Sequence, residues 1–298
     1  MTETKNELNQ KLAALRALLA AQQADGILLR RVSSFAWATC GAASYVNTAV
    51  AEGAASLLVT ADGLYLATNN IEAPRLDAEE HLRAQGWEFI VSPWATPLKG
   101  LNQLIEGKRL LSDVPFGDAR VIAAQIAALR ARLTAPEVER FRGLGGLCAQ
   151  AIGAAAQSIH PGMSELEIAA RIGLEAQQRG VQPIVNLVAV DERAMAYRHP
   201  LPTARTLERY ALLVLSGRKA GLVCSVSRMV HWGKPPQELQ QRIQAAAAVN
   251  ATLIAHSRPG TSLGLALQAA QQAYAALGYP QEWQHHHQGG LAGYEPRE

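Results

Sequence analysis

Histidines at two places in the second half of the chain are the side chains best suited to chemistry. His199 stands before a proline in the run Tyr-Arg-His-Pro, and His285, His286 and His287 are consecutive. An imidazole titrates near neutral pH, so each of them is a candidate acid, base or metal ligand. The alternative for His199 is a surface side chain before a turn-forming proline.

The run of three histidines suggests a metal site, but adjacent residues on one strand point to opposite faces. If the run is a strand, its three rings cannot all bind one ion. The alternative is a polar strand end with one inward-facing histidine.

The chain also contains candidate acids and thiols. The candidate acids are Glu282, Glu295 and Glu298, for which surface charge is the alternative role. The thiols are Cys40, Cys148 and Cys224, for which buried packing is the alternative role. An odd number of distant cysteines argues against a disulfide framework or a zinc site of paired cysteines.

The elements that must position these residues begin with a predicted α/β region. Apolar periodicity and turn residues predict helices at 7–23, 71–85, 98–105 and 118–132, and strands at 27–29, 54–60, 64–68, 87–91 and 109–112. Asp62-Gly63 predicts a two-residue hairpin turn with positive φ angles. This alternation indicates a mixed sheet with helices packed on it. We expect an amino-terminal domain at 1–132.

A second domain is expected at 133–298, and it contains an internal repeat. Each copy has a long helix (137–158 and 236–256), a Pro-Gly break, a serine cap, a second helix and a terminating glycine. The prolines, glycines, serines and terminating glycines of the two copies stand 98 residues apart: Pro161 and Pro259, Gly162 and Gly260, Ser164 and Ser262, Gly180 and Gly278. Thr134 is the predicted cap of the first long helix, and Ser164 and Glu167 have the spacing of a capping box.

After the first copy, a strand is expected at 184–190, followed by a hairpin. The hairpin strands are 212–216 and 222–230, with the turn at 217–221. The second copy is followed by a short polar stretch that ends at Glu298. The duplicated unit is therefore expected to be incomplete at its carboxyl end.

Several phrases of the sequence resemble the pita-bread family of Xaa-Pro aminopeptidases, creatinases and methionine aminopeptidases. They are LTAPEVERFRGL, IHPGMSELEIAARI, AYRHPLPTARTLERYALLVL, SVSRMVHWGKPP, SRPGTSLGLALQAA and HHQGGLAGYEP. The likeness runs from about residue 133 to the end, and residues 1–132 resemble the amino-terminal domain of the creatinase branch. It implies a duplicated α+β domain that holds two metal ions with two Asp, one His and two Glu.

The first two ligands of that family lie on the hairpin, and the resemblance places them at Val214 and Ser225. Neither side chain replaces a carboxylate, and two adjacent divalent ions need several anionic oxygens. Ser216 lies close to the first position but is no better a ligand. The two Glu ligands are expected on strands beyond Glu298. We therefore expect no metal ion and no cofactor in this chain.

Other family positions carry residues closer to the family pattern. The resemblance places the ligand His at His287. In the family phrase His-Glu-Pro, which falls on residues 294–296, Tyr294 stands in place of the His. His199 matches another substrate-contacting His. The resemblance implies His199 and His287 as catalytic residues, and Tyr294 and Glu295 as substrate-binding residues.

Two functions from different classes are consistent with these residues. The first is a metal-independent or weakly active hydrolase that cleaves a C–N bond in a small peptide or amide, as creatinase does without a metal. The second is a peptide- or partner-binding pseudoenzyme with no turnover. The sequence could also be a piece of a longer chain. The uncovered second sheet edge predicts self-association as a homo-oligomer, most simply a dimer.

Composition and charge argue against disordered, membrane-spanning and nucleic-acid-binding proteins. The chain is 49% hydrophobic and 18% charged, which is typical of a globular protein and not of a disordered one. No apolar run approaches the ~20 residues of a membrane span, so no membrane partner is expected. The net charge of +3 is spread along the chain and does not favour nucleic acid. The polar amino terminus favours the cytoplasm over a secretory route.

Overall fold

The computed structural model describes residues 2–298, and its first half is built on a mixed six-stranded sheet. The strands are β1 (Gly26–Arg31), β2 (Glu52–Val59), β3 (Leu64–Asn69), β4 (Glu88–Ser92), β5 (Leu110–Ser112) and β6 (Arg120–Val121). Their order is β4-β3-β2-β1-β5-β6. The β1–β2 and β2–β3 pairs are antiparallel and the other pairs are parallel. The predicted mixed sheet is confirmed.

Five helices accompany this sheet. They are α1 (Thr2–Ala21), α2 (Val32–Ala38), α3 (Ala73–Ala78), α4 (Lys99–Ile105) and α5 (Ala123–Arg130). Helix α1 buries Leu8, Leu12, Leu15 and Leu19, which share one face at helical spacing. This stripe packs against the core side of the sheet.

Local details of this half differ from the sequence predictions. Helix α3 ends at Ala78, before His81 adopts a positive φ of 54°, and α5 begins only at Ala123 because β6 precedes it. The β2–β3 turn does not use positive φ angles at Asp62 or Gly63. Instead, the Thr60 amide donates a hydrogen bond to the Gly63 carbonyl at 3.0 Å.

The second half contains three strands and five α-helices. The helices are α6 (Ala135–Ser158), α7 (Glu165–Gln177), α8 (Glu192–Ala196), α9 (Gln237–His256) and α10 (Leu263–Ala276), followed by a 3-10 helix at Glu282–His285. The strands are β7 (Gln182–Val190), β8 (Tyr210–Lys219) and β9 (Leu222–His231), which form an antiparallel sheet in that order.

The predicted repeat has the same local geometry in both copies. Ser164 caps α7 and Ser262 caps α10, each side chain accepting a hydrogen bond from the backbone three residues on. Glycines with positive φ end the helices, at 66° in Gly180 and 87° in Gly278. The capping boxes at Thr134 and Ser164 are both present. Within the described residues 277–298, α10 is followed by no strand.

Helix α6 covers one face of the β8–β9 hairpin, where Leu213 and Leu215 are fully buried. One hydrophobic cluster joins this region to α1, with Leu15, Leu144 and Tyr294 among its members. Helix α6 begins just after residue 133, where the sequence predicts a domain boundary, and the division into two domains stays a prediction. No helix within residues 2–298 has the length and apolar character needed to cross a membrane.

Candidate functional site

The outer face of the β8–β9 hairpin carries the positions at which the family resemblance predicts metal ligands. Val214 pairs with Ser227 and Ser216 pairs with Ser225, so these four side chains share one face. The Ser216 and Ser225 hydroxyls form a hydrogen bond at 2.7 Å. This face offers two hydroxyls that already satisfy each other, a third hydroxyl and an isopropyl group. Such a donor set does not fit two divalent cations, which need anionic oxygens.

The turn of this hairpin is set by two residues with positive φ. Lys219 pairs with Leu222, leaving Ala220 at φ 48° and Gly221 at φ 77° between them. Positive φ angles at both central residues are typical of two-residue hairpin turns whose twist matches that of the flanking strands. The turn packs on the amino-terminal half, because a Cβ at Gly221 would overlap the Cβ of Ala36 in α2.

Three histidines meet at one point on the surface. The ring centroid of His286 lies 4.8 Å from that of His199 and 4.0 Å from that of His287, and the His199–His287 centroids are 5.4 Å apart. The Nε2 atoms of His199 and His286 are separated by 3.1 Å. The structure thus brings together the two histidines predicted to be catalytic and adds a third.

The expectation that adjacent histidines face opposite sides is wrong for His286 and His287. That expectation assumed a strand, but the chain leaves the 3-10 helix at His285 and continues without regular structure. Both rings therefore turn towards His199. His285 lies apart from the group, with Nδ1 3.4 Å from a Glu282 carboxylate oxygen.

Buried carboxylates hold the loop that carries His199, which runs from α8 to β8. Glu165, the first residue of α7, is fully buried and accepts hydrogen bonds from the Thr203 amide at 2.8 Å and hydroxyl at 2.7 Å. Asp191 accepts from the backbone amides of Glu208 and Arg209 at 2.8 and 2.9 Å. Glu165 thus ties the middle of the loop to the folded core, and Asp191 ties its carboxyl end.

The ionisation of Glu165 agrees with this structural role. Burial alone would raise the pKa of Glu165, but hydrogen bonds from Thr203, Val190 and Arg193 outweigh it and lower the pKa. Glu165 therefore stays charged at neutral pH. Sequence reasoning did not single out Glu165; at this helix start it identified only the capping residues Ser164 and Glu167.

The loop that carries His286 and His287 is held by Gln288 and Arg297. The Gln288 amide donates to the His286 carbonyl at 2.7 Å, and its oxygen accepts from Tyr274 of α10 at 3.1 Å. The Arg297 guanidinium donates to the His287 ring and to the Gly289 carbonyl. Both contacts limit the movement of the two rings.

Partial desolvation and neighbouring charges favour the neutral form of His287. Desolvation and the nearby His286, Arg297 and His199 lower the pKa of His287 below its ordinary value. His286 points Nδ1 at the His287 carbonyl at 2.6 Å. A carbonyl only accepts, so Nδ1 carries the proton and Nε2 of a neutral His286 presents its lone pair to His199.

A cleft of about 260 Å³ opens beside His286. Its polar lining includes Arg198, Arg242, Tyr274 and Glu282. Arg198 forms an ion pair with Glu282 at 3.3 Å, and Arg242 forms one with Glu238 at 2.9 Å. The cleft thus presents two cationic side chains and an imidazole to a small molecule.

The two predicted substrate-binding residues lie elsewhere. Tyr294 is 3% exposed and its hydroxyl donates to Glu137 at 2.7 Å. Glu295 accepts from the Arg31 guanidinium at 3.0 Å and from the Ser33 hydroxyl at 2.6 Å. In this structure both side chains contact the protein itself, so their role towards a substrate stays a prediction.

Around Tyr294 lies a buried charge network that sequence spacing does not reveal. The Lys11 ammonium lies 2.6 Å from Glu7 and 2.7 Å from Glu137, and Arg140 reaches Glu7 at 2.6 Å. These residues come from α1, α6 and the carboxyl-terminal segment. The network joins the two halves of the chain and contains no exposed carboxylate for a substrate or metal.

Comparisons with solved structures give the fold. The prolidase from Pyrococcus horikoshii OT3 matches with a TM-score of 0.79 at 17% identity, covering 97% of this chain and 84% of that one. The Xaa-Pro dipeptidase from Bacillus anthracis matches with a TM-score of 0.79 at 18% identity, covering 98% and 83%. Proline aminopeptidase P II from Yersinia pestis matches with a TM-score of 0.73 at 15% identity, covering 99% and 82%. The predicted α/β pita-bread fold is confirmed.

A search of curated protein sequences finds no significant match. The family model for metallopeptidase family M24 matches residues 139–297, more than half of the chain. The matched region contains the hairpin, the His199 loop and the histidine run. The chain therefore belongs to metallopeptidase family M24.

Proposed function

We propose that this chain hydrolyses a C–N bond in small peptides or amides of the Xaa-Pro type, and that it does so without the dinuclear metal centre of its relatives. The observation that carries the proposal is the 3.1 Å separation of the His199 and His286 Nε2 atoms beside a cleft of about 260 Å³. The substrate class is suggested by the names of the matching structures, a prolidase and an Xaa-Pro dipeptidase.

In this proposal, His199 and His287 are the catalytic residues and His286 assists them. A neutral imidazole takes a proton from water, and the resulting hydroxide adds to the carbonyl carbon of the scissile bond. A protonated imidazole then donates its proton to the leaving nitrogen as the C–N bond breaks. The products are a carboxylic acid and an amine. The lowered pKa of His287 keeps its ring neutral at neutral pH, and the ring can take a proton once Arg297 releases its nitrogen.

The cleft suggests how a small peptide would be oriented. The guanidinium groups of Arg198 and Arg242 form planar hydrogen-bonding forks that suit a free carboxylate, which would compete with their present partners Glu282 and Glu238. The carbonyl to be attacked would then face His286. This arrangement favours a dipeptide or another short acid over a long chain.

The second candidate function is peptide binding without turnover. It is favoured by the hairpin face, where Val214 and Ser225 stand at the two family Asp positions and the Ser216 hydroxyl is bonded to Ser225. A protein of this kind would keep the cleft and lose the chemistry. The same substrates therefore serve to test both functions.

The test is to incubate the purified protein with Xaa-Pro dipeptides in the presence of a chelator and to measure released amino acids by chromatography. Turnover that is lost in His199→Ala and retained in His160→Ala supports the hydrolase. His160 is an exposed histidine outside the cluster. Saturable dipeptide binding by calorimetry without any product supports the binding protein. Neither binding nor turnover contradicts both proposals.

Self-association and a cytoplasmic location belong to the same proposal. Large apolar side chains on α9 and α10 are open to solvent, with Ile254 66% and Leu265 56% exposed. Light scattering coupled to gel filtration tests whether copies of the chain associate through such surfaces. A single monomer peak at all concentrations would contradict the homo-oligomer.

A further inference from the structure

The three clustered histidines have a property that acid–base chemistry does not use. One ligand nitrogen from each of His199, His286 and His287 lies within 4.8 Å of the others. Among residues 4–298, whose side chains the structure describes, no other group of three His, Cys, Asp or Glu side chains converges in this way. All three groups reach the surface at least in part, so an ion from solvent has access.

We propose that His199, His286 and His287 bind one divalent transition-metal ion of the zinc class. This site shares only His287 with the ligands that the resemblance implies for the dinuclear centre, whose hairpin positions carry Val214 and Ser225, and it holds one ion instead of two. The inference concerns binding alone and does not depend on the proposed hydrolysis.

The distances are close to those of a tetrahedral site. Zinc binds imidazole nitrogen at about 2.0–2.1 Å, so two nitrogens of one tetrahedron lie about 3.3 Å apart. The Nε2 atoms of His199 and His286 are already 3.1 Å apart. The third nitrogen lies within 4.8 Å, which a modest rotation of the His287 ring can shorten. Three protein ligands leave a fourth position for water.

The hydrogen bonds around His286 orient it as a ligand. Its Nδ1 donates to the His287 carbonyl at 2.6 Å, which leaves the Nε2 lone pair directed at His199. Metal-binding histidines usually donate their other nitrogen to a carbonyl or carboxylate in this manner.

Arg297 disfavours the binding of an ion at the three histidines. Its guanidinium only donates, so its contact with His287 occupies a ring lone pair, and its positive charge repels a cation. The other charged groups of this region are Arg198 and Glu282, which pair with each other, and Arg242, which pairs with Glu238; the His285 ring lies beside Glu282. Binding therefore requires Arg297 to release His287.

The ligand set also selects the ion. Imidazole nitrogen suits Zn²⁺, Ni²⁺ and Cu²⁺, whereas Mg²⁺ and Ca²⁺ prefer oxygen. No carboxylate belongs to the cluster of three histidines. We therefore expect uptake of Zn²⁺ and no uptake of Mg²⁺.

The experiment is equilibrium dialysis of the full chain, free of any histidine tag, against Zn²⁺, followed by metal analysis. We expect one Zn²⁺ per chain. His199→Ala, His286→Ala and His287→Ala should each weaken binding by at least about 10- to 100-fold. His285→Ala is the matched control and should bind as the parent does. Arg297→Gln should bind about five- to tenfold more tightly, because a nearby positive charge is removed.

Two spectroscopic measurements distinguish loss of the metal site from loss of the fold. Co²⁺ substituted for Zn²⁺ should show the intense visible absorption of tetrahedral coordination, and circular dichroism should show that each variant is folded. Absence of stoichiometric uptake, or uptake that none of the three histidine substitutions reduces, would overturn the site. The metal-binding experiment contains no substrate, so a negative result does not bear on the hydrolysis proposal. That proposal is tested separately by turnover of Xaa-Pro dipeptides in the presence of a chelator.

Discussion

The Tyr294 hydroxyl donates a 2.7 Å hydrogen bond to Glu137, and this contact joins the carboxyl-terminal segment to the start of α6. Both side chains are buried, at 3% and 0% exposure. The same Glu137 carboxylate contacts Lys11 of α1. Three segments far apart in the sequence are thus held at one buried point.

Tyr294→Phe should therefore destabilise the protein, since it removes the hydroxyl donor from a buried carboxylate. We expect a loss of about 1–2 kcal/mol in the free energy of unfolding. Urea denaturation followed by fluorescence measures this loss. Tyr197→Phe is the control because Tyr197 is 54% exposed. Equal stability of Tyr294→Phe and the parent would contradict the structural role of this hydrogen bond.

Stability should decrease at acid pH through Glu7. Burial alone would raise the pKa of Glu7, but hydrogen bonds from Arg140 and Lys11 outweigh it and lower the pKa in the folded protein. Ionised Glu7 therefore stabilises the fold above the ordinary glutamate pKa of about 4.3. This contribution is lost as the pH falls below that value towards the folded pKa.

Urea midpoints measured between about pH 6 and pH 3 test this dependence. Glu7→Gln should flatten the decrease in that window. Glu139→Gln should leave it unchanged, because Glu139 is exposed on α6 and pairs only with Arg142 at the surface. An unaltered pH profile in Glu7→Gln would count against the assignment.

Cys224 should be the reactive thiol of the chain. A hydrogen bond from Cys148 lowers the pKa of Cys224 to about 7, while burial raises the pKa of Cys40 to about 12. Thiolates are the nucleophilic form, so iodoacetamide should label Cys224 with a half-maximal rate near pH 7. Mass spectrometry identifies the labelled residue.

Cys148→Ala removes the donor and should move the labelling midpoint of Cys224 up towards about 8.5. Cys40 should stay unlabelled in the folded protein in both cases. A midpoint that does not move in Cys148→Ala would show that the neighbouring thiol does not activate Cys224.

Two glycine substitutions should have opposite effects on stability, one in the hairpin turn and one in helix α6. Gly221→Ala should destabilise the protein by about 1–3 kcal/mol, because φ is 77° and the new Cβ would overlap Ala36. Gly146→Ala should stabilise it by about 0.5–1 kcal/mol, because Gly146 is exposed in α6 and nothing lies within 4 Å of a new Cβ. Thermal melting measures both. A stable Gly221→Ala variant would contradict the turn geometry.

Much of the fold was predictable because its signals are local. Helix caps and terminating glycines depend on residues a few positions away, and they have the expected geometry at Thr134, Ser164, Gly180 and Gly278. The repeat was recognisable because both copies carry such local signals 98 residues apart. Hydrophobic periodicity likewise identified the long helices and the hairpin strands. The family was expected from the resemblance of several phrases of the sequence, and the family model over residues 139–297 confirms it.

The geometry of the site depends on tertiary contacts that residue spacing in the sequence does not predict. The sequence by itself determined that Val214 and Ser225 are not carboxylates and that His199 and His287 are present. Only the tertiary structure decided that His286 turns towards His199 and that Tyr294 lies buried against Glu137. The physical reason is that residues without regular secondary structure take their direction from packing partners, which here lie 87 and 157 positions away.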